Sequence, residues 1–325
     1  MSNGQDIHIS METAMIQATE LGEILNVGPA AINNIRNRNN LEDGTDTIAA
    51  KNGRRYYTPQ GIRKILEHKG YDFSRKNISV CNVKGGVGKT TISVNLAKKI
   101  STLGFKTLLV DIDKQGNATD QIWPEGNEKQ FPSLIDVVEG NAHLKDTIIP
   151  ITDSLSLLPS NLKNQLLEGK IIEKRINLQT FFSRHMDNLD YDVVIFDTEP
   201  NLSSVNLMAL AYSSLNIAPV RLDKNSIDGL ELLLGFLRDQ SEEWQGLNLE
   251  TKALINGFDK RMLGEAVRKI ADVKELGVST FEAAIRTDST FVKAQDTLEI
   301  KKSTKAYEDI TTVAIELLGL GEALQ

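Results

Sequence analysis

Short apolar runs rich in β-branched residues punctuate the chain: Ile78-Ser79-Val80-Cys81-Asn82-Val83, Thr107-Leu108-Leu109-Val110, Leu155-Ser156-Leu157-Leu158, Val193-Val194-Ile195-Phe196, Ile217-Ala218-Pro219-Val220 and Ala253-Leu254-Ile255. Stretches with helical spacing separate them, the first carrying Ile92, Leu96, Ile100 and Leu103 on one face. Strands that are apolar along their whole length are buried on both faces, so this alternation predicts helices on both sides of a largely parallel sheet. The expected fold class is α/β, a doubly wound and mostly parallel sheet. The stretch from Trp123 to Gln130, with Pro124, Gly126 and Pro132 nearby, reads as an exposed loop.

The pattern differs ahead of residue 77. Ala18, Leu21, Leu25, Val27, Ile32 and Ile35 fit two short helices joined at Asn26-Val27-Gly28, with Pro29 at the first position of the second, where a missing N–H costs nothing. A hairpin follows, with Asn52-Gly53 as its turn and Arg54-Arg55-Tyr56-Tyr57 as its returning strand. Thr58-Pro59 then reads as an N-cap and helix start. The chain thus divides into a small domain at residues 1–76 and a large one at 77–325. The small domain looks like a helix-turn-helix with a small wing; a helical adaptor with a solvated basic edge fits the same residues.

Composition changes this picture little. A chain of 325 residues with 40% hydrophobic and 25% charged residues is long enough for a sizeable core. No run approaches the ~18 apolar residues of a membrane span, and Met1-Ser2-Asn3-Gly4-Gln5-Asp6 lacks the basic start of a secretion signal. Cys81 is the one cysteine, so an internal disulfide and an iron–sulfur ligand set are both excluded, and it is expected as a small core residue. A cytoplasmic protein is the expectation. Charge matters more. The net charge is −7, yet between Thr47 and Lys76 eight basic residues face only Glu67 and Asp72, a local excess of +6. That excess, with Asn33, Asn34, Arg36 and Arg38 on and just after the second helix, directs the small domain to DNA.

The chemistry is concentrated in Lys84-Gly85-Gly86-Val87-Gly88-Lys89-Thr90-Thr91, which stands between a predicted strand and a predicted helix. Glycines let backbone N–H groups converge on phosphate oxygens, and the helix N-terminus adds its positive dipole end. Lys89 would reach the β- and γ-phosphates of a nucleotide, and the Thr90 hydroxyl would hold magnesium. An apolar strand ending in Asp197 is the Walker B arrangement, with Asp197 contributing to magnesium binding through water. Asp111 and Asp113 end another predicted strand, where ligands collect in open α/β sheets.

One departure from the general phosphate-loop pattern is informative. Val83 stands where that pattern has its first glycine, and a second lysine, Lys84, opens the loop. This resembles the deviant Walker A box of the ParA/MinD family of ATPases. The resemblance covers roughly Asn77 to the C-terminus through three ordered motifs, and more loosely the N-terminal module, which resembles that of plasmid-type ParA proteins. It implies a P-loop NTPase fold, ATP and Mg2+ as cofactors, and a homodimer formed on ATP in which Lys84 reaches the partner subunit's nucleotide. It implies catalytic roles for Lys84, Lys89 and Asp113, with Asp113 orienting the attacking water and Asp111 in the metal's outer shell. Gly85, Gly86, Val87, Gly88, Lys89, Thr90 and Thr91 would bind the nucleotide. Asn256 could contact the base, although beside Gly257 it equally fits a turn.

Two positions depart from the family pattern: Lys114 replaces the usual proline of Asp-x-Asp-Pro-Gln-Gly-Asn, and Glu199 replaces the first of two prolines after Asp-Thr. The latter puts the stiffness of that segment in question. By resemblance, the region from Ala283 to Ala294 holds DNA without reading its sequence, through Arg286 and Lys293 with Arg261, Arg268 and Lys269 as further candidates. Arg54 and Arg55 of the hairpin join the sequence-specific candidates. The implied function is an ATP-dependent DNA-partition ATPase, slow until a centromere-binding, ParB-like partner brings a missing cation that raises the rate by ~10³ or more. It would associate with the nucleoid and repress its own operon; a nucleotide-switched repressor without a partition role is the alternative. The acidic, glycine-interrupted end from Ile315 to Gln325 argues against docking on a membrane.

Overall fold

The computed structural model describes residues 15–38, 40–50, 54–123, 131–244, 247–259, 261, 263–291 and 302–321. Its first part holds β1 (Ile16–Gln17), α1 (Ala18–Ile24), α2 (Pro29–Arg38), β2 (Thr47–Ala49), β3 (Arg55–Tyr57) and α3 (Pro59–His68). The three strands form an antiparallel sheet in the order β1-β3-β2. Asn26, in the left-handed region at φ 51°, turns the chain between α1 and α2. Thr58 caps α3 by accepting from the Gly61 N–H at 3.1 Å. The helix pair, the hairpin and the capped helix are the elements expected from sequence; the Asn52-Gly53 turn lies outside the described residues.

The large sheet begins with β4 (Lys76–Val80), α4 (Lys89–Thr102), β5 (Thr107–Asp111) and α5 (Asn117–Ile122). It continues with α6 (Leu134–Glu139), β6 (Ile149–Thr152), β7 (Leu155–Leu158), α7 (Leu167–Glu173) and α8 (Phe181–Met186). Next come β8 (Val193–Asp197), α9 (Ser204–Tyr212), β9 (Leu215–Val220), α10 (Lys224–Glu243) and β10 (Glu250–Phe258). The described part ends with α11 (Leu263–Glu275), β11 (Ser279–Thr280), β12 (Ile285–Arg286) and α12 (Lys305–Leu318). The strand order is β11-β10-β9-β4-β8-β5-β7-β6, with β12 also paired to β10; among these described strands only β6 runs antiparallel to its neighbour.

The continuous apolar runs have the predicted cause. In β5, Leu109 joins the core on one face while Leu108 and Val110 join the core on the other. In β8, Val193 and Ile195 face one side, and Val194 and Phe196 the other. Each fully buried side chain of this size contributes about 1.5–3 kcal/mol of transfer free energy, which pins the register, because a slip by one residue would exchange the faces. Two expectations are corrected. The strand opening at residue 76 stops at Val80, so Cys81 lies just beyond it, fully buried as expected, with burial pushing its thiol up to about 11. Trp123, read as part of an exposed loop, is buried with its ring 5.4 Å from that of Phe131; residues 124–130 lie outside the described residues.

The two parts share one core. Ile16, Leu21, Ile62 and Leu66 belong to the same apolar cluster as Ile100 on α4 and Val313 on α12. Part of the +6 excess of the sequence is spent on this docking and on local pairing. Arg63 pairs with Asp192 at 2.6 Å and Lys64 with the buried Asp46 at 2.7 Å, while Arg75 donates to the Met186 carbonyl at 2.8 Å. The opposing acids come from outside the basic stretch, which is why local counting overstated the free charge. Gly104, at φ +88°, is where α3 comes closest: an added Cβ would lie 2.6 Å from the Pro59 carbonyl oxygen. The end of α12 is also committed, since Leu317, Leu318 and Leu320 are buried. No helix among the described residues is long and apolar enough to cross a membrane.

Candidate nucleotide site

The strand order reverses at β4, which lies between β9 and β8. Ligands of open α/β sheets bind outside the carboxyl ends of strands at such a point. A cavity of about 850 Å³ opens there. Gly85, Gly86, Gly88, Lys89, Thr90 and Thr91 form one wall; Asp113, Lys114 and Gln115 after β5 and Thr198, Glu199, Pro200 and Asn201 after β8 form the other. The three motifs, more than 100 residues apart at their extremes, are therefore brought to one place.

Backbone conformation shapes the first wall. Gly86 and Gly88 take φ of 74° and 97°, a region that side chains disfavour. Gly88 occupies the N-cap position of α4, and its hydrogen faces Asn256: an added Cβ would lie 2.3 Å from Asn256 Nδ2. That amide donates to the Val87 carbonyl at 2.6 Å. Asn256 sits inside β10, at a register shift between Asn256 and Phe258, and does not line the cavity. Its observed part is to brace the loop, which displaces the reading as a turn residue. Val87 is buried beneath the loop rather than in the cavity wall.

Lys89 is buried and donates to the Lys84 carbonyl at 3.1 Å, and burial lowers its ammonium's affinity for a proton. An anion in the cavity would repay that desolvation. Lys84 is exposed and does not line the cavity of its own chain. Its Cβ meets α10 at Gly229, where an added Cβ would lie 3.1 Å away, and Asn82 Oδ1 accepts from the Lys84 N–H at 3.1 Å. Asn82 and Gly229 set the direction of Lys84, and reading the loop alone missed Asn82; a polar residue between Cys81 and Val83, just ahead of the glycine loop, was its signal.

The carboxylates divide the work. Ser93 donates to Asp197 Oδ1 at 3.0 Å, while Oδ2 is buried without a hydrogen-bond partner among the described residues. Burial pushes the Asp197 carboxyl up to about 7, against the pull of the Thr90 and Ser93 hydroxyls. A buried oxygen with an unmet lone pair beside a threonine hydroxyl fits a hydrated divalent cation. Asp113 lines the cavity, with Oδ1 accepting from the Gln115 N–H at 2.9 Å, and burial raises its proton affinity.

Asp111 is held from several sides. Its Oδ2 accepts from the N–H and hydroxyl of Thr119, both at 2.7 Å, and its Oδ1 accepts from the Asp113 N–H at 3.1 Å. It lies beside Asp197 across the β5–β8 pairing but not in the cavity wall. Burial, with Asp197 adding to it, raises its proton affinity well above the carboxylate range. The structure ties Asp111 to the start of α5, behind Asp113 and beside Asp197.

The proposed DNA contacts do not converge on this cavity. Asn33, Asn34 and Arg38 are exposed on α2 and Arg36 is half-buried. Arg54 is exposed at the edge of β3, while Arg55 pairs with Asp43 and donates to Thr47 Oγ1 at 2.9 Å. Arg286 corrects the sequence reading: its guanidinium is bound to Asp309 at 2.6 Å and Glu308 at 2.9 Å, with 18% of the side chain exposed. It ties β12 to α12, and the acids 22 and 23 residues downstream that claim it were invisible to a local reading. Lys293 lies outside the described residues.

Comparison with known proteins agrees with this geometry. The AAA_31 family, described as an AAA domain, matches residues 75–250. The sporulation initiation inhibitor protein Soj of Bacillus subtilis (strain 168) is 34% identical over 193 residues, which covers 58% of this chain and 73% of Soj. The chromosome-partitioning ATPase Soj of Thermus thermophilus is 33% identical over 192 residues, covering 58% of this chain and 72% of its own. Among solved structures, a protein from Borrelia burgdorferi B31, assigned to plasmid partition and bound to AMPPNP, superposes with a TM-score of 0.60 at 25% identity, over 75% of this chain and 98% of that one. With this match and these relatives, the chain belongs to the ParA/MinD family of deviant Walker A ATPases.

Proposed function

We propose that this ATPase moves DNA: it binds ATP with magnesium, dimerises, holds DNA without regard to sequence, and lets go when a partner stimulates hydrolysis. Phosphoryl transfer asks a protein for positioning and charge neutralisation rather than covalent chemistry. Lys89, already desolvated, neutralises the β- and γ-phosphates, and the loop N–H groups between Gly85 and Thr91 cradle them. Asp113, steadied by Gln115 and by Asp111 behind it, orients the attacking water. Thr90 and Asp197 would hold magnesium, which supplies positive charge on the phosphate oxygens.

The observation that carries the switch is Lys84, exposed and outside its own cavity. In a dimer it would complete the partner subunit's site, so that only the ATP-bound pair is the active state. The name of the Thermus thermophilus relative, a chromosome-partitioning ATPase, supports a partition role. The small N-terminal sheet with α1 and α2 is read as a winged helix-turn-helix, with Asn33, Asn34, Arg36 and Arg54 facing an operator and Arg55 bracing the wing. Exposed Arg268 is the candidate for sequence-blind phosphate contacts, with Arg261 and Lys269 beside it, which pair with Asp259 and Asp272; the less exposed Arg286 is not among them. A ParB-like partner and a nucleoid-associated, cytoplasmic site of action complete the reading.

Footprinting with the two nucleotides tests it. Sequence-blind, ATP-dependent coating that weakens steeply with salt supports partition. Protection of one operator under ADP, with no coating under ATP, would make the chain a nucleotide-switched repressor instead.

A further inference from the structure

The two residues that depart from the ParA/MinD pattern, Lys114 after β5 and Glu199 after β8, meet each other. Lys114 Nζ lies 3.2 Å from Glu199 Oε2, and the Lys114 backbone N–H donates to Glu199 Oε1 at 3.3 Å. Asn201 Nδ2 donates to the same Oε2 at 2.7 Å. Glu199 is thus a nearly buried carboxylate, its side chain 11% exposed, held by three donors; the Lys114 side chain is 41% exposed. Proline at position 114 would abolish the contact, since it has neither the N–H nor the charge. A buried carboxylate is costly unless paired and hydrogen-bonded, so the lysine and the glutamate make sense only together.

Both residues line the nucleotide cavity, and Lys114 follows Asp113 directly. The facing wall is the phosphate loop with Lys89. A nucleotide seated on that loop places its terminal phosphate between Lys89 and the segment from Asp113 to Gln115. An ammonium has three N–H donors, and Glu199 occupies one of them. We propose that Lys114 binds the terminal phosphate of ATP and that Glu199 is the positioning residue that holds its ammonium in the cavity, clasping the segments after β5 and β8 together. This rests on the reading of the cavity as an ATP site and deepens it: the chain brings to the departing phosphate a cation of its own, beside those of the loop and of the partner subunit.

The test titrates ADP and the slowly hydrolysed ATPγS, by calorimetry, into the full chain and its variants, with thermal unfolding in parallel. Lys114→Met is expected to weaken ATPγS about tenfold and leave ADP within twofold, because a charge-assisted hydrogen bond to the third phosphate is lost. Glu199→Gln should produce a smaller loss in the same direction and a lower Tm. The conservative variant Lys114→Arg keeps the charge and the backbone N–H that Glu199 accepts, so it should retain most of the preference for ATPγS over ADP. The proposal is overturned if Lys114→Met keeps the wild-type ratio of ATPγS to ADP affinity. It is equally overturned if Lys114→Arg loses that ratio as fully as Lys114→Met does. A wild-type chain that binds neither nucleotide would refute the ATP site itself, and the proposal with it.

Discussion

Replacing Gly88 by alanine tests how the phosphate loop is built. Gly88 sits at φ 97°, and an added Cβ would stand 2.3 Å from Asn256 Nδ2. The left-handed backbone costs alanine about 1–2 kcal/mol. Relief of the contact requires the Asn256 amide to move, which sacrifices its 2.6 Å bond to the Val87 carbonyl, worth about 1 kcal/mol. The sum is about 2–3 kcal/mol. If the loop stays in place, Gly88→Ala lowers Tm by roughly 4–12 °C at the 2–4 °C per kcal/mol of a domain this size. If the loop shifts instead, the cost appears as an ATP affinity lowered by roughly 30- to 150-fold, at tenfold per 1.4 kcal/mol. Differential scanning fluorimetry and calorimetric titration of ATP read the two routes. Adding Asn256→Ala removes the steric part but not the backbone part, so the double variant should lose about 1 kcal/mol less than the sum of the singles. A Gly88→Ala protein with wild-type Tm and ATP affinity within twofold would refute the reasoning.

Two further outcomes follow from the same site. Lys89→Ala should abolish measurable ATP binding, because the cation facing the phosphates is gone; unchanged affinity in a calorimetric titration contradicts its role. Asp197 predicts a pH dependence: burial raises its proton affinity to about 7, so between the ordinary carboxylate range and pH 7 the folded chain binds more protons than the unfolded one. Metal-free stability should therefore fall as pH rises through that window, and Asp197→Asn should flatten the fall while weakening magnesium's effect on nucleotide binding. Parallel stability curves for the two proteins, measured by urea unfolding at pH 5 and pH 8, would count against the assignment.

The sheet was legible because its strands are buried on both faces, so Leu108-Leu109-Val110 and Val193-Val194-Ile195-Phe196 write their environment directly in the sequence. The loop was legible because phosphate binding by backbone demands glycine at positions such as Gly86 and Gly88. The short strands β11 and β12 were not, since two residues carry no period. Charge roles failed for a different reason. Arg63 and Arg286 find their partners in other elements, Asp192 and Asp309, and ion pairing is decided by tertiary neighbours rather than by sequence neighbours. Lys114 and Glu199 show the same effect in reverse: each alone reads as a defect in its motif, and only the fold reveals them as a pair.

The switch itself rests on Lys84, and one substitution isolates it. Lys84→Ala leaves the cavity wall of its own chain intact, because the side chain takes no part in that wall. Nucleotide binding by the variant should stay measurable in calorimetry, while ATP-dependent DNA binding, followed by fluorescence anisotropy on a non-specific duplex, should disappear. Equal DNA affinity for variant and wild type under ATP would contradict a lysine that acts across a dimer.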